Sequence, residues 1–340
     1  MAFFKKVACF TDIHFGMKGN SRVHNDDCEA FIYWFIDQAK AHGCETCIFL
    51  GDWHHHRSST NVSTMNYTVS NMERLGQAFE KTYVIMGNHD LFYRDKREIN
   101  SMEFVRNIPN VHLVNEWLET EDVAIIPWIV QDEWKRIPHM KQRYMFGHFE
   151  LPYFQMNAMV EMPDVGGIKA EHFVNQEYMF TGHFHKRQVR NNISYMGNAF
   201  PHNYADAGDD ERGMMILEYG GKPKYINWPD MPRYRNYKIS QLLSDPEGLL
   251  KEKMYVRVTL DIKISYEEAN FIRETFIEKY KLRELQLIPE QLDQAKQTTA
   301  KVEKFDSVDQ IVVKQLESVE SQTYDKKILM AIYNNLDVKN

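Results

Sequence analysis

Short apolar runs, each closed by a polar cluster beside glycine or a strand end, set the rhythm of the first 230 or so residues. Residues 3–10, 46–50 and 83–86 read as buried strands. Between them, 25–42 collects Phe31, Ile32, Trp34, Phe35 and Ala39 on one broad helical face, with Asp26 and Asp27 in its first turn and Gly43 after its end. A second helix, 62–79, repeats Val62, Met65, Val69, Met72 and Phe79 at helical spacing. The resulting β-α-β-α-β order predicts parallel strands that bind ligands beyond their carboxyl ends.

Further strands follow at 111–114, 123–128, 143–146, 178–181, 193–196 and 214–219. Gly220-Gly221 then turns a hairpin into 225–228. Pro229 and Pro232 close the large domain, predicted to span 1–235. A small cap, 236–290, contains the strictly alternating strand 256–264, a helix opened by the capping box Ser265-Tyr266-Glu267-Glu268, and a strand at 285–288. The polar stretch 291–304 reads as a linker. Beyond it, 305–340 carries two apolar faces, Val308, Ile311, Val312, Leu316 and Val319, then Ile328, Leu329, Ile332, Tyr333 and Leu336, as a helix-loop-helix with little core of its own.

Composition narrows the class. With 43% hydrophobic residues among 340, the chain can bury a substantial core. A net charge of -7 argues against a generally basic nucleic-acid binder, though not against an enzyme whose bound cations and local basic loops face phosphate. No apolar run is long enough to span a membrane, and residues 1–6 lack a signal peptide's apolar region, so a cytoplasmic protein is expected. Cys9, Cys28, Cys44 and Cys47 read as reduced core residues, since the one C-x-x-C leads into an apolar strand and has no second pair.

The chemistry sits in five clusters, each after a strand: Asp12-Ile13-His14, Gly51-Asp52-Trp53-His54-His55, Gly87-Asn88-His89-Asp90, Gly147-His148 and Gly182-His183-Phe184-His185. Each alone is a common turn or a chance pairing; their order and repetition are not. Oxygen and imidazole donors without cysteine suit a pair of borderline divalent cations rather than a structural zinc. Two cations about 3.5–4 Å apart need one bridging carboxylate. D-x-H and H-x-H spacing is expected to turn both side chains to one side of an extended backbone.

This ordered set resembles the calcineurin-like metallophosphoesterase superfamily over roughly residues 1–228. The resemblance implies an α/β (α+β) protein built as a two-layered β-sandwich flanked by helices. It implies one cation held by Asp12, His14, Asp52 and His185, and a second by Asp52, Asn88, His148 and His183, with Asp52 bridging. His89 then matches the catalytic histidine, and Asp90 is expected to orient it by accepting its other ring proton. The implied reaction is metal-assisted hydrolysis of a phosphoester, with two divalent ions, Mn2+ first and Mg2+, Fe2+ or Zn2+ as alternatives.

The second cluster is also similar to that of SbcD-type DNA nucleases, whose register selects His55 as a further catalytic residue, with His54 and His56 as alternatives. The stretch from Tyr195-Met196-Gly197-Asn198 to Asp209-Asp210-Glu211-Arg212-Gly213 is similar to that family as well. Lys18, Arg22, Arg57, Arg94, Lys186 and Arg187 follow the metal motifs and are candidate DNA contacts. The cap and terminal helix-loop-helix match the family's layout, most like its T-even bacteriophage members. They imply docking of 305–340 on an SMC-like coiled-coil ATPase of the SbcC type, and a homodimer. The expected function is an exo- and endonuclease subunit in DNA repair and recombination. The alternatives are a phosphatase or phosphodiesterase for small or protein substrates, and a catalytically weak scaffold for the ATPase.

Overall fold

The computed structural model describes residues 2–156 and 160–289. The linker and helix-loop-helix expected at 291–340 lie outside the described residues. Three sheets are formed by β1 (Lys6–Phe10), β2 (Thr46–Phe49), β3 (Lys81–Ile85), β4 (Val111–Val114), β5 (Leu118–Glu119), β6 (Val123–Ile126), β7 (Tyr144–His148), β8 (Tyr178–Gly182), β9 (Gln188–Arg190), β10 (Ile193–Tyr195), β11 (Gly213–Glu218), β12 (Lys224–Asn227), β13 (Arg233–Lys238), β14 (Met254–Leu260) and β15 (Glu284–Pro289). The first has the order β12-β11-β1-β2-β3-β4 and the second β5-β6-β7-β8-β10-β9. In the first, β1 to β4 run parallel, as the β-α-β-α-β pattern predicts. In the second, β6, β7, β8 and β10 are parallel, with antiparallel β5 and β9 at its edges.

These strands read as continuous apolar runs because both faces are covered. Val7, Cys9, Ile48 and Ile85 of the first sheet meet Val123, Ile125, Phe146 and Phe180 of the second in one buried layer. The opposite residues Phe10, Cys47, Phe49 and Val84 pack on Phe31, Ile32, Phe35, Met72 and Leu75 of two long helices. Those helices are Arg22–Ala41 and Val62–Ala78. The first begins three residues before its predicted start because the Ser21 hydroxyl accepts from the His24 amide and caps it. All four cysteines are buried and unbridged. Among the described residues no helix is long and apolar enough to cross a membrane.

The third sheet, β13-β14-β15, is parallel throughout, and the helix Tyr266–Tyr280 connects its last two strands. Its first strand was not expected. Arg-Tyr-Arg-Asn-Tyr-Lys has almost no aliphatic content, yet Tyr234 is 2% exposed and stacks on Tyr255 of β14 at 4.6 Å. Arg283, just before β15, donates to both carboxyl oxygens of Asp27 on the first long helix (2.9 and 3.3 Å). That pair fastens the small sheet beside the large one.

Candidate metal centre

The carboxyl ends of the parallel strands in both large sheets converge. Asp12 and His14 follow β1, Asp52 follows β2 and Asn88 follows β3. From the second sheet, His148 ends β7, while His183 and His185 follow β8. Two donor groups result, Asp12 with His14 and His185, and Asp52 with His148 and His183, each with its donor atoms within 4.8 Å of one another. In the first group, His14 Nε2 lies 3.2 Å from His185 Nε2, and both lie 3.9 Å from Asp12 Oδ1. In the second, Asn88 Oδ1 lies 2.8 Å from His183 Nδ1 and 3.2 Å from His148 Nε2. Asp52 Oδ2 stands between the groups, 3.8 Å from His14 Nε2 and 3.4 Å from His148 Nε2.

The backbone route to this convergence differs from the expected one. Asp12, His14, Asp52 and His183 have φ of 49°, 53°, 62° and 89°, so the D-x-H and H-x-H pairs are not extended. Each such residue in the left-handed region costs on the order of 1–3 kcal/mol, which the surrounding packing must offset. Gly51 combines a φ of 101° with close approach to its neighbours, whereas Gly87 and Gly182 are needed for close approach alone. A Cβ on Gly87 would lie 2.1 Å from Asp52 Oδ1, and one on Gly182 would lie 2.1 Å from Thr11 Oγ1 and 2.8 Å from Asp12 Oδ2.

The donor set fits divalent cations. Asp12 and Asp52 are fully or almost fully buried, and among the described residues neither pairs with a lysine or arginine. Buried carboxylates without a permanent positive partner are costly. The facing imidazole nitrogens either share ring hydrogens with one another and with those oxygens or turn their lone pairs together onto a cation. Burial draws the His14 imidazole well below its ordinary value and lowers His183. Burial alone would do the same to His148, but Asp52, Asp12 and the Leu50 carbonyl raise it to about 9. Asp52 itself is held well below the usual carboxylate range, where His148, His89 and His14 outweigh burial.

His89 lies on the same side, its ring 5.0 Å from that of His14. Its Nδ1 is 2.7 Å from the His55 carbonyl, which can only accept, so Nδ1 carries the hydrogen and Nε2 is the free nitrogen. This corrects the role expected for Asp90. The Asp90 carboxylate does not touch the His89 ring; it accepts from the backbone amides of Asp52, Gly87, Trp53 and His54 at 2.9–3.1 Å. It is the clamp that joins the second cluster to the third. Burial and the Asp52 charge push it up to about 7, against the pull of the His54 and Gly87 amides.

Of the three consecutive histidines, His54 is buried and engaged with Ser101 and Thr68. His55 groups with His14 and His89 and stacks on His89 at 5.6 Å, while His56 is exposed. Burial and the neighbouring histidines lower His55 to about 4.

The basic candidates separate. Lys18 packs its ammonium 4.0 Å over the Tyr255 ring and donates to the Tyr234 hydroxyl; Arg187 donates to the Met196 carbonyl and to Asn227. Lys18 is exposed and Arg187 half-buried, and both also make contacts within the fold. Arg94 is paired with Glu150, and Lys186 reaches Gln155. Arg22 is exposed and Arg57 half-buried. The sequence reading missed Glu150, Trp128 and His202, which touch the donor residues from outside. His202 Nε2 donates to the Asp12 carbonyl at 2.9 Å.

Comparison with known proteins agrees in family. The calcineurin-like phosphoesterase family model matches residues 5–226. Exonuclease subunit 1 of Enterobacteria phage T4 is 25% identical over 224 residues, which cover 63% of this chain and 64% of that protein, so the match spans less than two thirds of its length. Among solved structures, a dimetal phosphatase from Danio rerio aligns at 9% identity over 63% of this chain and 92% of that one, with a TM-score of 0.38. The Pseudomonas putida nuclease MPE aligns at 16% identity over 63% and 84%, with a TM-score of 0.31.

Proposed function

The chain belongs to the calcineurin-like phosphoesterase family, and on that premise we propose that it is the nuclease subunit of an SbcCD-type complex, hydrolysing DNA phosphodiester bonds at the strand-end cluster. The observation that carries the site assignment is Asp52 Oδ2, one buried oxygen within 3.8 Å of an imidazole nitrogen from each donor group. Asp12, His14, Asp52 and His185 would hold one divalent cation and Asp52, Asn88, His148 and His183 the other. Mn2+ is the proposed ion, because mixed imidazole and carboxylate donors suit it and its neighbours. When bound, two cations neutralise phosphate oxygens and lower the pKa of a water, the main requirement of so slow a hydrolysis.

The chain's own groups supply the rest. His89, with Nδ1–H fixed on the His55 carbonyl, offers Nε2 to the phosphate or to the departing oxygen. His55 backs that ring by stacking and closes the same side of the centre. Asp90 keeps the Asp52 and His89 turns in register through four amides.

The likeness to a phage exonuclease subunit supports DNA as the substrate. The apolar faces of 305–340 are proposed to dock on an SMC-like ATPase partner. Exposed Val23, Tyr33 and Val62 on the two long helices support a homodimer contact. A second reading, a phosphatase or phosphodiesterase for small or protein substrates, shares the same centre. Competition separates the two. Long duplex DNA should inhibit hydrolysis of a chromogenic phosphodiester by the Mn2+-loaded chain, and absence of any inhibition would remove DNA from the account.

A further inference from the structure

Two imidazoles of the second donor group present opposite ring nitrogens. His148 aims Nε2 at Asn88 and Asp52, and its Nδ1 lies 2.7 Å from the Leu50 carbonyl. A carbonyl only accepts, so Nδ1 of His148 carries a hydrogen and Nε2 is the nitrogen left to serve a cation. His183 is turned the other way. Its Nδ1 is 2.8 Å from Asn88 Oδ1, and its Nε2 is 3.2 Å from Glu150 Oε1. It can serve a cation through Nδ1 only as the Nε2–H tautomer. The group that holds that hydrogen is a side-chain carboxylate, which a substitution can remove, whereas the Leu50 carbonyl is backbone.

Glu150 is itself held in place. Arg94 Nη2 donates to both of its carboxyl oxygens, at 2.8 and 2.9 Å. The Arg94 carbonyl accepts from Trp128 Nε1 at 3.0 Å, and the guanidinium lies 5.3 Å from the centre of the Trp128 ring. Trp128 packs against the His183 ring at 5.1 Å, and its amide donates to the Met86 carbonyl at 2.8 Å, at the end of β3. His183 is therefore fixed at its edge by Glu150 and on its face by Trp128. Both supports are tied to the loop that follows His89. Among the described residues nothing comparable reaches the first group through Glu150.

We propose that Glu150 is a positioning residue for the second cation, selecting the Nε2–H tautomer of His183 and aiming Nδ1 at the centre, with Arg94 holding Glu150. The proposal rests on the dinuclear-metal reading above. A carboxylate behind a ligating imidazole fixes its orientation and raises its basicity, and losing such a support typically weakens metal binding about 10–100-fold. The Arg94–Glu150 pair contributes little to folding, because Arg94 is 53% exposed and Glu150 24%. Metal affinity and fold stability are therefore separable at this residue.

The test is a calorimetric titration of the full chain, stripped with EDTA, with Mn2+ alone as the probe. Wild type should bind two ions. Glu150→Ala should weaken one of them about 10–100-fold and leave the other unchanged. Glu150→Gln, which keeps an acceptor oxygen without the charge, should lose less. Arg94→Ala should shift the same ion in the same direction by a smaller factor. Thermal unfolding of all four chains without metal should coincide. Unchanged affinities in Glu150→Ala, or an equal loss of both ions, would overturn the positioning role while leaving the metal centre standing. If wild type takes up no Mn2+, the metal-centre reading fails and this proposal fails with it.

Discussion

Replacing Asp90 by Asn separates two accounts of the Gly87-Asn88-His89-Asp90 turn. In the structure Oδ1 accepts from the amides of Trp53 and His54, and Oδ2 from those of Asp52 and Gly87. An asparagine can present oxygen to only one of these pairs; its NH2 group must face the other. Two buried amides then lose their acceptor, at roughly 1–3 kcal/mol each, for a total of about 3 kcal/mol. For a domain of this size about 1 kcal/mol corresponds to about 2–4 °C, so the midpoint should fall by about 6–12 °C. The assay is thermal unfolding of the metal-free chain at about pH 8; relief of the buried charge that pushes Asp90 up to about 7 works the other way and holds the fall to the lower end of that range. Turnover of a chromogenic phosphodiester with Mn2+ is measured alongside. Turnover should fall too, because the Asp52 turn loosens. A variant with unchanged unfolding and much reduced turnover would refute this reasoning and restore a direct role of Asp90 on the His89 ring.

Other predictions follow from contacts elsewhere. Gly182→Ala would drive a methyl group to within 2.1 Å of Thr11 Oγ1 and 2.8 Å of Asp12 Oδ2 and His148 Nδ1, so Mn2+ affinity should fall at least about tenfold in a binding titration. Glu133 takes two bonds from the 8%-exposed Arg97, whose pull outweighs burial and lowers the Glu133 carboxyl. A depressed carboxyl stabilises the fold above its unfolded value and loses that contribution as pH falls through its folded value. Glu133→Gln should therefore be less stable by about 1–3 kcal/mol in urea at neutral pH, with the gap closing in acid. If the substrate is DNA, Phe92 and Tyr93, exposed by 42% and 47% three and four residues beyond His89, would offer ring faces to unpaired bases. Their joint replacement by alanine should raise KM for single-stranded DNA severalfold and leave the chromogenic substrate unaffected.

The candidate donors were legible because metal chemistry restricts such residues to a few types, and because the strands delivering them are short, apolar and ended by recognisable turns. Val111–Val114 could be placed to the residue for the same reason. What stayed hidden depends on features without a side-chain signature. The His55 carbonyl that fixes His89 could belong to any residue, so Asp90, the nearest carboxylate in sequence, was a natural but wrong choice. The left-handed turns at Asp12, His14 and Asp52 occur at residues that sequence patterns do not mark as special. Strand β13 is polar because its support is aromatic stacking and arginine pairing with Asp210 rather than aliphatic burial. Glu150 is a glutamate two residues past a histidine, and only the fold brings it to His183.

The central claim, that the strand-end cluster is a dinuclear phosphodiesterase centre with His89 at the substrate, is tested most directly in one paired measurement. Wild type and His89→Ala are stripped with EDTA, reloaded with Mn2+, counted for bound metal, and assayed on end-labelled duplex and single-stranded DNA. The account predicts two ions in both chains, hydrolysis by wild type only with metal, and a fall of about 100- to 10,000-fold in the variant. Equal hydrolysis by the variant, or hydrolysis by wild type that persists without divalent ions, would contradict it.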